Sequence, residues 1–190
     1  MSLSLIAFSA IVVSNVCYTL GFGILGVIPH KKHTEFMLCS NLMILLESIV
    51  CTALYYLLYT FVLAPLKVTE FALISVVIIA LIVDLVAMLI LKKVSKENYF
   101  HYEKNFMFVV HAIVIIGIAL SCNLSLDFVY VLFYVGAQFL GLFVVNVIFY
   151  ALNSRINNRT LPDHIRALSP QLVVMSVLSL IGYLLAGLLA

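Results

Sequence analysis

The sequence predicts an all-α integral membrane protein of six transmembrane helices, arranged as two inverted three-helix repeats with helices one and four broken. Three observations predict it. Of the 190 residues, 65% are hydrophobic and 9% charged. A soluble domain carries about 25% charged residues, so this chain has more apolar surface than a soluble core can hide. Six apolar segments reach or approach the roughly 20 residues that a helix needs to cross the hydrocarbon core. Every Lys and Arg except Lys67 falls in the first, third or fifth connection between those segments, the alternation of a chain threaded back and forth with its basic loops on one side.

The first segment, Leu3 to Ile28, has no basic stretch before it and no small-residue cleavage site after it. It is expected to remain as a span and not to act as a removable signal peptide. Gly21, Gly23 and Gly26 crowd its end, ahead of Pro29 and the pair Lys31 and Lys32. The second segment runs from Phe36 to Leu63, the third from Phe71 to Leu91 and the fourth from Phe106 to Leu120. The fourth is short and carries Gly117. Phe128 to Leu152 and Leu172 to Leu189 complete the set. No connection is large enough for a separate domain, so residues 1–190 are expected to form one transmembrane unit with repeat halves at about 1–92 and 104–190.

With the basic connections cytoplasmic, both termini lie outside, and an odd number of helices per half forces any structural repeat to be inverted. The first helix of each half is the irregular one, "GFGILGVIP" and "HAIVIIGIAL". Short or Gly-interrupted segments in equivalent places mark half-helices meeting near the midplane around a site. Gly is also common in membrane helices because it lets backbones approach, and both readings of the pair are open.

Five residues are costly to place in lipid: Asn15, Glu47, Asp84, His111 and Asn146. A central Asp costs roughly 2.5–3.5 kcal/mol on insertion scales, so such groups face the protein interior, a partner or water. Asp84, Glu47 and His111 are the candidates for an ion pathway, and each is also readable as a hydrogen-bonded interior group, a reading that the sequence favours for Glu47 and His111. Glu47 shares a helical face with Cys39, Met43 and Cys51, which are spaced by four. That stripe is not a metal site, because Cys39 and Cys51 stand roughly 18 Å apart along a helix. No second His or Cys lies at ligand spacing beside His111. Asn15 and Asn146 read as interhelical hydrogen-bond partners.

The composition also excludes function classes. A net charge of +2 is too small for nucleic-acid binding. There is no nucleophile motif, phosphate loop or dinucleotide fingerprint, so no catalytic residue is assigned. The four cysteines, Cys17, Cys39, Cys51 and Cys122, form no CxxC and read as small hydrophobes.

With these features assembled, the chain resembles the RnfA/NqrE family, the small six-helix membrane subunits of ion-translocating Rnf and Na+-translocating NADH:quinone reductase electron-transport complexes. "VVSNV" resembles the family's Val-Asn-Asn opening with Asn15 matched, and "GILGVIPHKK" its glycine-rich break followed by a Lys pair. "VLAPLKVTEFALISVVIIALIVDLVAMLILKKVS" is similar to its Pro-Leu turn and third helix, and "IIGIALSCN" to the end of its fourth. "NSRINNRTLPDHIRA" resembles its Arg-rich fifth connection, here with Pro162 and Arg166. The resemblance implies a bacterial or archaeal cytoplasmic (inner) membrane location and a homologous RnfE/NqrD-like partner among other Rnf/Nqr-type subunits. It also implies a role in electron transport coupled to ion movement.

In the family, the broken helices of the two subunits supply cysteines to an intramembrane 2Fe-2S cluster. Here "GILGV" at Gly23 to Val27 lacks the Cys-Pro-Phe insert, and alignment through Gly117 puts Ile113 at the second cysteine's place. The ligand cysteines are absent, so the expectation is a divergent member that does not itself ligate the cluster. In helix three the family tends to carry Gln and, three residues later, Glu; here Asp84 and Ala87 stand there, ahead of Met88. Residues three apart share a helix face, so the resemblance implies an acid moved along that face instead of lost. The alternative function is a non-redox cation or small-solute transporter on the same inverted-repeat fold, or an assembly scaffold.

Overall fold

The computed structural model describes residues 34–96 and 107–155, with a few isolated positions between 7 and 11 and between 176 and 184. Asn15, Cys17 and the glycines Gly21, Gly23 and Gly26 lie outside the described residues, as do nearly all of the first and sixth apolar segments and most of the fifth connection. The described part is all-α. Four helices, α1 (Thr34–Leu58), α2 (Ala72–Val94), α3 (Met107–Ser121) and α4 (Phe128–Arg155), coincide with the second to fifth apolar segments.

Among the described residues, three stretches are long and apolar enough to cross a membrane: Leu38–Leu63, Thr69–Val94 and Phe128–Ile148. The helix α3 is apolar but shorter. It runs without interruption through Gly117, which is buried; within the described residues this helix is short and not broken.

The side chains are distributed inside out relative to a soluble bundle. On α1 the buried face holds Ser40, Asn41, Ile44, Glu47, Ser48, Cys51, Thr52 and Tyr55, the three-and-four spacing of one helical stripe. Leu38, Leu42, Leu46, Val50 and Leu54 repeat every four residues on the exposed face. On α2, Leu73, Ile78, Leu81 and Leu85 point outward while Asp84 is buried. Apolar groups outside and polar groups inside is the arrangement that hydrocarbon solvent selects, since outward Leu and Ile cost nothing there and polar groups find partners only within the protein.

Short turns set an up-and-down order. The first span ends in a wide π turn at Tyr59–Leu63, where the Ala64 amide donates to the Tyr59 carbonyl at 2.9 Å. Pro65 follows directly; it has no N–H and its ring clashes with the carbonyl four residues back, so the helix cannot continue in α geometry. Lys67 then takes a left-handed conformation, φ 55°, and the Val68 amide closes the turn on the Leu63 carbonyl at 3.0 Å. A turn at Thr69–Phe71 leads into α2, whose last turn carries Lys92 and Lys93, cations favoured at a helix C-terminus. Between α3 and α4, Asn123 Oδ1 accepts from the Ser125 amide at 3.0 Å and from Ser125 Oγ at 2.7 Å, a side chain standing in for a backbone turn acceptor.

The helix α1 packs against α2, α3 and α4, and α3 also packs against α2. Two apolar clusters fill these contacts. Ile44, Val114, Ile118, Val131, Val135, Leu142 and Val145 join α1, α3 and α4. Cys51, Tyr55, Val76, Ala80, Val83, Ile115 and Ala119 join α1, α2 and α3. At the end bearing the short turns, Tyr56 Oη donates to the Leu126 carbonyl at 3.2 Å and its ring sits 5.3 Å from that of Phe128. The polar residues gather toward the opposite end, where α2 finishes in its lysines.

Candidate functional site

The three residues proposed from sequence for an ion pathway meet. Glu47 is on α1, Asp84 on α2 and His111 near the start of α3, and one ligand atom from each lies within 4.8 Å of the other two. All three are buried, at 3%, 4% and 0% exposure. They converge because α1 and α3 rise in the same sense while α2 descends, which brings the early part of α1, the later part of α2 and the start of α3 to one level. The apolar contacts of Cys51, Val76, Ala80, Val83 and Ile115 hold the three helices at that spacing.

His111 is held from both sides by α1. Its Nε2 is 3.0 Å from Ser40 Oγ and its Nδ1 is 3.3 Å from Glu47 Oε2. Ser40 and Glu47 are two helical turns apart, so the imidazole lies along α1 and bridges them. Glu47 Oε1 is buried with no hydrogen-bond partner among the described residues. Two carboxylates and an imidazole in a dry environment need compensating positive charge, supplied by protons or by a bound cation.

A second polar contact flanks this cluster. Asn146 Nδ2 donates to Asn41 Oδ1 at 2.9 Å, joining α4 to α1 as expected for an interhelical asparagine. On the other flank α1 and α2 leave an open groove of about 580 Å³ lined by Leu42, Leu46, Val83, Val86 and other apolar side chains, with Glu47 its one ionisable lining residue among those described.

Cys51 and Cys122 are buried and Cys39 is half-buried, and none of the three forms a disulfide among the described residues. Cys51 and Cys122 pack within the two apolar clusters, as small hydrophobes do. Ile113 is exposed on the outer side of α3.

Sequence reasoning named the three ionisable residues but not Ser40, Asn41, Ser48 or Thr52, and did not see that the three form one site. The signal for the hydroxyls and the amide was present: in "CSNLMILLESIVCT" Ser40 stands seven residues before Glu47, and Asn41, Ser48 and Thr52 follow one another at seven and four on the adjoining line of the same face. No such signal exists for the convergence, because the residues come from three helices and search for ligands near in sequence finds none.

No family model and no curated protein matches this chain. The described residues show a helical protein with three candidate membrane spans.

Proposed function

We propose that this chain is a multi-pass membrane protein that takes a cation into or across the bilayer through a site formed by Glu47, Asp84 and His111. The observation that carries the reading is the meeting of these three residues, from three helices, in one buried cluster. Intramembrane ionisable groups are expensive, and grouping them in one place is what an ion-handling site requires. Reconstitution in liposomes tests it. The chain alone, with no electron donor, should support cation flux, and Asp84→Asn should reduce that flux at least tenfold; equal flux through both proteins would remove the reading.

We also propose a second reading, carried by the sequence resemblance: an RnfA/NqrE-like subunit beside an RnfE/NqrD-like partner in an ion-motive electron-transport complex of the cytoplasmic membrane, in which cation movement requires electron transfer and the chain alone conducts none. Its support is the order and spacing of the sequence segments from "VVSNV" to "NSRINNRTLPDHIRA". Purifying the native complex and identifying its companions tests this; RnfE-, RnfD- or RnfG-like subunits are the expected result.

A further inference from the structure

Resting on the reading of Glu47, Asp84 and His111 as a cation site, we propose that the cation is a divalent transition-metal ion such as Zn2+, coordinated directly by these three side chains. Donor chemistry makes the first selection. One imidazole nitrogen with two carboxylates suits zinc, iron or cobalt, whereas Na+, Mg2+ and Ca2+ prefer an all-oxygen set. Charge makes the second. Two carboxylates and a neutral imidazole carry two negative charges that a divalent ion cancels, whereas a monovalent ion leaves a net charge buried in a dry site.

Geometry supports the same ion. The 3.3 Å between His111 Nδ1 and Glu47 Oε2 is long for a charge-assisted hydrogen bond, about 2.7–2.9 Å. It equals the spacing of two ligands around a tetrahedral centre about 2.0–2.1 Å from each. One oxygen of the Asp84 carboxylate lies within 4.8 Å of a ring nitrogen of His111 and of a carboxylate oxygen of Glu47, so closing the site needs only a side-chain adjustment.

The imidazole is also prepared for the task. A metal-bound histidine usually donates its other ring N–H to a neighbour that fixes tautomer and orientation. Ser40 Oγ, 3.0 Å from Nε2, is placed to accept that proton, which leaves the Nδ1 lone pair facing Glu47. Glu47 Oε1, buried and without a partner among the described residues, has a ligand role still open. Three protein ligands leave one position for water, the arrangement that permits exchange.

The full chain in lipid nanodiscs, stripped with chelator, is titrated with Co2+ and Zn2+. Expected are a single bound ion per chain, a tetrahedral visible spectrum with Co2+, and its displacement by Zn2+. His111→Gln should weaken binding at least 100-fold. Ser40→Ala, which removes only the orienting partner, should weaken it by about 10- to 100-fold with the spectrum retained, so the proposal stays testable if the His111 variant does not fold. Absence of binding by the wild-type chain, or binding unchanged in both variants, would overturn the inference. If the chain binds no divalent metal yet conducts Na+ or protons through Asp84, the metal inference fails and the cation-site reading survives. If metal binds at the site and no cation is conducted, the reverse holds.

Discussion

Asn146 on α4 donates to Asn41 on α1 across 2.9 Å, a buried contact between residues 105 apart in the chain. It ties α4 to α1 one helical position from Ser40, the residue that positions His111. Amide pairs between membrane helices average about 0.6 kcal/mol and reach about 1.7 kcal/mol. Asn146→Ala is therefore expected to destabilise the protein by about 1 kcal/mol. Reversible unfolding in mixed micelles measures it, and a double-mutant cycle with Asn41→Ala should show coupling between the two sites.

The inside-out pattern predicts opposite responses on the two sides of α2. Ala80 is fully buried between Cys51, Tyr55, Val76 and Ile115, so Ala80→Leu overpacks the α1–α2–α3 contact at about 1–3 kcal/mol. Leu85 is 60% exposed, and Leu85→Ala at that lipid-facing position should change stability by less than about 0.5 kcal/mol. Thermal denaturation of the two variants in the same detergent compares them directly; equal losses would contradict the assignment of faces.

Acid should release the metal. Coordination requires a neutral imidazole and ionised carboxylates, so protons compete for His111, Glu47 and Asp84, and apparent affinity falls as pH falls. Followed by the Co2+ spectrum between about pH 8 and about pH 5, the bound signal should decrease monotonically. A signal that grows on acidification would exclude coordination by this set.

Thiol labelling checks the orientation of α1. In a Cys17→Ser background, a membrane-permeant maleimide should modify half-buried Cys39 faster than buried Cys51 and Cys122, because only accessible thiols meet the reagent. Mass spectrometry of the labelled protein reads the order. Prior labelling of Cys51 would place that helix face outward.

Much of the described fold was legible in the chain. The segments from Phe36, Phe71, Phe106 and Phe128 are helices because long apolar runs in hydrocarbon must satisfy their backbone internally. Pro65 and the Asn123–Ser125 pair mark the turns for reasons of local geometry alone. The candidate site was legible by name but not as an assembly. Glu47 and Asp84 betray themselves by the cost of a carboxylate in an apolar run, and His111 by its lone position in a short apolar helix. Gly117 shows where pattern misleads: a short segment with a glycine resembles a broken helix, yet neighbouring helices pack along an uninterrupted one.

By itself the sequence determined that this protein carries helices long and apolar enough for a bilayer, where the four described ones lie, and which side chains are too polar to face lipid, because hydrophobicity, proline geometry and charge are properties of single residues and their neighbours in the chain. Only the tertiary structure decided that Glu47, Asp84 and His111 share one site and that Ser40 orients the imidazole. Those are relations among helices, set by how Ile115, Ala80 and Cys51 pack, and no local spacing encodes them.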